Sequence, residues 1–192
     1  DTNVGVFEVT PPIEAADDPA DAVETKERAK RTYQQSVSTT KEVINSVRMG
    51  ASPNIKKIKR VVQGIVDQIL AEETSLIGLT TIRDYDDYTF THCVNVCIFS
   101  VALGRRLGLS RLQLYDLGFA GLFHDIGKSR VPIDIIRKPE MLNDDEWRLV
   151  AAHPWLGVLA LFQLREQSEF PYRSMLVAYQ HHMKRDLTGY PR

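Results

Sequence analysis

The residues best suited to chemistry in this sequence are five histidines and the aspartate that follows one of them. The histidines are His92, His124, His153, His181 and His182, and none lies in the first 91 residues. Neutral imidazole and carboxylate bind divalent first-row metals well, and a carboxylate has two oxygens with which to bridge two ions. Asp125 directly follows His124, although consecutive helical residues point about 100° apart. The pair can still serve one cluster if it sits at a helix end, where Gly127 lets the backbone turn away. Lys128 then brings a mobile cation suited to a phosphate oxygen. From His92 to His124, His153 and His181 the steps are each roughly thirty residues, about one helical hairpin, so helices packed side by side can gather the sites. Zinc fingers use short Cys/His spacings that this chain lacks. The set suits a binuclear hydrolase in which metals activate water and neutralise a phosphoryl oxygen.

Helices must deliver these side chains, and the sequence patterns supply them. Strong helix formers run from about Val23 to Met49, with Gly50 as a stop and a sparse stripe of Tyr33, Val37, Ile44 and Val47. Ser52-Pro53 opens the next helix, where Ile55, Ile58, Val62, Ile65, Ile69, Leu76 and Leu79 follow 3-4 spacing broken only by Glu72. That stripe fits a core-facing bundle helix, or a helix that pairs with its copy in a homodimer. A third helix covers about Asp87 to Leu107 and carries His92; a fourth, near Ser110 to His124, delivers the His-Asp pair. An irregular stretch through Val131-Pro132 and Lys138-Pro139 follows. Asn143 with Glu146 three later forms a capping signature, and that helix ends near His153-Pro154. Further helices cover about Leu156 to Arg165, and Tyr172 up to His181-His182. No strand pattern appears after residue 22, so the body reads as all-α.

Composition narrows the function classes. The 192 residues can hold one sizeable core plus an appendage. A net charge of −1 argues against a nucleic-acid polymer as partner, and Lys56-Lys57-Ile58-Lys59-Arg60 reads as a solvated helix face. No run approaches the roughly 18 apolar residues of a membrane span, and no signal peptide is visible. Cys93 and Cys97 sit four apart on one helix and read as small core residues in a reducing, cytoplasmic compartment. Residues 1–22 mix a β-like run, Val4 to Val9, with prolines and an acidic stretch, as the tail of an upstream β element plus linker would. The chain starts without methionine, as a fragment would.

Several stretches carry a family resemblance. They are Asp87-Tyr-Thr-Phe-Thr-His92-Cys-Val-Asn-Val96, His124-Asp125-Ile-Gly127-Lys128 with Val131-Pro132, and Lys138-Pro139. Leu142 before Glu146-Trp147, His153-Pro154 with Gly157, and His181-His182 leading to Gly189-Tyr190-Pro191 complete them. Over about residues 80 to 192 the chain resembles the HD-GYP phosphodiesterases of bacterial cyclic di-GMP signalling. A weaker resemblance covers Arg48-Met-Gly50 and the helix after it, as in members with a small upstream β domain.

The resemblance implies an all-α, HD-superfamily helical bundle at 80–192, preceded by helical linker or signalling helices at 23–79. It implies hydrolysis of cyclic di-GMP to pGpG or GMP, with His92, His124, Asp125, His153, His181 and His182 as metal ligands. Asp125 would bridge two divalent ions, iron or manganese, and Lys128 would bind phosphate; these two are the implied catalytic residues. Asp186, Gly189, Tyr190 and Pro191 match the loop associated with substrate and with partner diguanylate cyclases. Met183 stands where the family has a glutamate after its histidine pair, and Leu187 where the loop has its first glycine. Leucine enters positive-φ conformations less cheaply than glycine. Tyr88 occupies the position of a glutamate that helps some members hold a third ion, so two ions are expected here. The family domain continues through further helices with another aspartate ligand, so the chain is expected to be C-terminally incomplete. Two other readings fit the same residues: a degenerate receptor or docking module, and an HD-type hydrolase of another nucleotide.

Overall fold

The computed structural model describes residues 19–51, 54–81, 88–163 and 172–191. Every regular element among them is helical, as the sequence pattern predicts. Helix α1 spans Pro19–Arg48, α2 Ile55–Ala71 and α3 Glu73–Leu79. Helices α4 (Tyr88–Arg106) and α5 (Arg111–Phe123) form a hairpin, and a 3-10 turn over Ile126–Arg130 follows directly. The rest comprises α6 (Ile133–Ile136), α7 (Asp144–Ala151), α8 (His153–Gln163) and α9 (Tyr172–Gln180). The Val4 to Val9 run and the Ser52-Pro53 pair lie outside the described residues; α2 is opened instead by Asn54, whose side chain accepts the Lys57 N–H.

Local side-chain chemistry sets the helix boundaries. Ser110 opens α5 through a reciprocal capping box with Gln113, and Asn143 opens α7 through one with Glu146. The helix expected to run unbroken to Leu79 stops at Ala71. Glu72 adopts an extended backbone (φ −153°) and its carboxylate accepts the Ser75 N–H, which caps α3. The residue that breaks the apolar pattern therefore breaks the helix. His153 and Pro154 begin α8 rather than follow α7, because proline is tolerated in a first turn, where its missing N–H has no partner to lose.

The apolar stripe of α2 is consumed inside the chain. Val62, Ile65, Val66 and Ile69 are fully buried, and α2 packs against α1, α4 and α5. The sequence left an internal core and pairing with a second copy both open; the stripe serves the core, and the motive for pairing through it goes. The cationic run Lys56 to Arg60 faces solvent except for Ile58. On α1 the buried face is Ala29, Tyr33, Ser36, Thr40, Val43, Ile44 and Val47. Small hydroxyl residues fill the gaps that made this stripe look sparse. The Tyr33 hydroxyl donates to Asn95 Oδ1 (2.9 Å), and Asn95 Nδ2 donates to the Thr80 carbonyl (3.1 Å). These bonds fix α4 against α1 and α3 one turn after His92. Cys93 and Cys97 are fully buried in the same core.

Candidate metal centre

Each of the six ligand candidates sits at or near a helix end. His124 caps the C-terminus of α5, and Asp125 follows with φ −102°, entering the 3-10 turn. Gly127 in that turn packs against the main chain of His153 and Gly157 so tightly that a β-carbon would overlap the His153 carbonyl oxygen. That approach sets α5's end against α8's start. His92 lies in the second turn of α4, while His181 and His182 immediately follow α9. Helix ends free the backbone from helical phase, so His124 and Asp125 can face one point.

The structure brings all six residues together in two groups that share Asp125. His92, His124 and Asp125 form one; Asp125, His153, His181 and His182 form the other, with ligand atoms within 4.8 Å of one another in each. Asp125 Oδ2 lies 3.3 Å from His124 Nε2 and 3.6 Å from His92 Nε2. Its Oδ1 lies 3.2 Å from His153 Nε2 and 3.4 Å from His181 Nε2. One carboxylate thus presents a different oxygen to each histidine pair.

Hydrogen bonding fixes which ring nitrogens face inward. Nδ1 of His124 donates to the Gly121 carbonyl (2.7 Å), that of His153 to Val150 (2.6 Å), and that of His181 to Ala178 (2.9 Å). With Nδ1 protonated, each Nε2 presents a lone pair to the centre. His153 Nε2 and His181 Nε2 then stand 3.1 Å apart as two acceptors beside an anionic carboxylate. Asp125 is 3% exposed, and its Oδ1 is buried without a hydrogen-bond donor. A cation between these atoms removes both conflicts. The donor set is nitrogen and oxygen, with no thiolate, which fits a divalent first-row metal.

Charge follows the same geometry. Burial by itself would raise the Asp125 carboxyl; positive charge or N–H donation at the facing Nε2 atoms of His124, His153 and His181 outweighs it and lowers the group well below the usual carboxylate range. With Nδ1 protonated, a bound cation takes the place of those Nε2 protons. Burial, then the neighbouring His124, lowers His92. Burial, then His181 and His153, pushes His182 down to about 4. Asp125 stays ionised and these two histidines stay neutral, the states that metal ligation requires. Lys128 Nζ sits 2.6 Å from Asp125 Oδ2 at the edge of the site.

The 183–191 loop closes over the second group. The Tyr190 ring stacks on His182 (centroids 4.5 Å, 17° between planes), and its N–H donates to the His182 carbonyl (3.2 Å). Gly189 allows this return, since a β-carbon there would overlap the same carbonyl. Asp186 does not join the cluster. It is exposed and accepts the Thr188 N–H (3.1 Å) and hydroxyl (2.7 Å), which shapes the turn. Leu187 adopts φ +61° with an 83% exposed side chain. Leu187 thus holds a left-handed conformation without being glycine, at a cost of about 1–2 kcal/mol. Sequence reasoning missed Trp147, whose ring meets Tyr190 edge-on at 5.6 Å. The only signal was its place beside Glu146 in the motif.

Comparison with known proteins matches the HD domain family to residues 89–189. A cyclic di-GMP phosphodiesterase of Pseudomonas aeruginosa is 36% identical over 149 residues, covering 78% of this chain and 35% of that protein. A 3'3'-cGAMP-specific phosphodiesterase of Vibrio cholerae is 37% identical over 106 residues, or 55% of this chain and 22% of its own length. The cyclic di-GMP phosphodiesterase response regulator RpfG of Xanthomonas campestris is 33% identical over 89 residues, covering 46% and 23%. The chain thus spans about a third or less of the length of these relatives. No solved structure gives a significant match.

Proposed function

The chain belongs to the HD domain family, and on that footing we propose that it is the catalytic part of an HD-GYP-type phosphodiesterase acting on cyclic di-GMP. One observation carries this reading: Asp125 turns each of its oxygens to a separate pair of histidine nitrogens. His92 and His124 would hold one divalent ion, and His153, His181 and His182 the other, with Asp125 shared. Iron or manganese suits the nitrogen and oxygen donors. Tyr88 begins α4 one turn before His92, and a phenol of pKa about 10 is a poor ligand near neutral pH, so two ions rather than three are proposed.

Bound ions of this kind activate water and neutralise charge on a phosphodiester. The chain's own residues supply the frame. Asp125 stays ionised and spans both positions, and the three carbonyl-anchored imidazoles keep their lone pairs inward. Lys128 would exchange its contact with Asp125 Oδ2 for a phosphate oxygen and stabilise charge developing there. The Asp186 to Pro191 loop borders the second group, where substrate would enter. Relatives named for cyclic di-GMP and for 3'3'-cGAMP support a guanine-containing cyclic dinucleotide as substrate; cyclic di-GMP is the one favoured, with pGpG or GMP as product.

A receptor or docking role is the second reading. Exposed Leu187 and Met183 at the loop support contact with a partner such as a diguanylate cyclase. The six ligand side chains gathered around Asp125 favour the enzyme. Among the described residues no helix is long and apolar enough to cross a membrane, and the buried thiols support a reducing cytoplasmic setting. The test is anaerobic incubation of the metal-loaded full-length protein with cyclic di-GMP and chromatography of the products. Linear pGpG or GMP supports the enzyme; tight binding without turnover supports the receptor.

A further inference from the structure

His182 differs from its neighbours in how its ring is held. His124, His153 and His181 each anchor Nδ1 on a backbone carbonyl three residues earlier. His182 makes no such bond to a described residue. Its ring is placed by packing: Tyr190 stacked on it at 4.5 Å, His181 at 4.1 Å and His153 edge-on at 5.0 Å. Of these neighbours Tyr190 belongs to a loop whose residues 184–188 are exposed and which contains the left-handed Leu187. Tyr190 is held by its main-chain bond to the His182 carbonyl and by an edge contact with His153 at 6.1 Å, and Trp147 adds a contact from another helix.

The backbone under Trp147 is fixed by the α7 cap: its main-chain N–H donates to the Asn143 carbonyl (2.8 Å) in the capped first turn. The preceding Glu146 takes part in that cap and pairs with Lys138 at 2.7 Å. We propose that Trp147 is a positioning residue that, through Tyr190, fixes the His182 ring for metal binding. This rests on the reading of His182 as a ligand and extends it to a residue on another helix. A tryptophan partly open to solvent then has a purpose beyond packing, since α7 becomes the support of the second metal position.

The experiment titrates the folded full-length protein with manganese under anaerobic conditions, following free ion by electron paramagnetic resonance. Trp147→Ala should weaken one of the bound ions about tenfold, the usual size of an outer-shell loss, and leave the other unchanged. Trp147→Phe, which keeps an aromatic edge, should restore most of the affinity. Unchanged affinity in Trp147→Ala, or equal weakening of both ions in folded protein, would overturn the proposal. Should Trp147→Ala not fold, Trp147→Leu decides: it fills the space without a ring, and parent-like affinity in it refutes the positioning role. His182→Ala is the separate control. If that change leaves both ions bound as before, the ligand reading of His182 fails, whatever Trp147 does.

Discussion

Gly127 meets His153 backbone to backbone, with no room for a side chain between them. One lies just after the His-Asp pair and the other is a ligand candidate itself. Their contact holds the two halves of the centre at one spacing.

Gly127→Ala should therefore separate Asp125 Oδ1 from His153 and His181. Overpacking of this kind costs about 1–3 kcal/mol. Urea unfolding should show that loss, and metal retained after gel filtration should fall with it. A stable variant with normal metal content would show that the close approach is not needed.

Lys128→Met should act differently, because Lys128 is paired with Asp125 at the edge of the site and is no proposed ligand. Turnover should fall about a hundredfold, the scale of losing one charge stabiliser, with metal content kept. Loss of metal in parallel with turnover would instead make Lys128 a support for Asp125.

Ile65→Asp tests the role of α2. Ile65 is fully buried between α2 and its neighbours, so an unpaired carboxylate there should unfold the chain or cost at least about 3 kcal/mol. Circular dichroism in urea reads the loss. A variant that stays as stable as the parent and merely halves in mass by light scattering would restore the dimer reading.

The helices were legible because they depend on short-range patterns; the ligand set, whose members lie about thirty residues apart, was legible through the family resemblance. Ser110 and Asn143 announce their caps, and the His124-Asp125-Ile-Gly127 run contains the turn that its own chemistry needs. Glu72 was visible as a break in periodicity, yet that it caps a new helix depends on its backbone being extended. Trp147 and Tyr190 are 43 residues apart, and nothing in the spacing predicts ring against ring. The burial of α2's stripe was equally open, since an apolar heptad pattern reads alike in a core and in a dimer.

The cysteines give a pH test of the core. Burial pushes the Cys97 thiol up to about 12 and raises that of Cys93 as well. Unfolded thiols ionise near pH 8.5. Because the folded values lie higher, their contribution is complete below about pH 8.5 and is lost as pH climbs toward 12. The urea midpoint should fall between pH 9 and 11, and Cys97→Ala should flatten that slope. At pH 8 neither thiol should react with an aromatic disulfide before unfolding. Rapid labelling of the native protein would contradict the burial.

One carboxylate shared by two metal positions fixes the metal stoichiometry of the protein. Elemental analysis of the anaerobically purified full-length protein should find two tightly held ions per chain, one for each ligand group around Asp125. Asp125→Ala, still folded by circular dichroism, should lose most of both. Three tightly held ions in the parent, or two retained in Asp125→Ala, would contradict the claim.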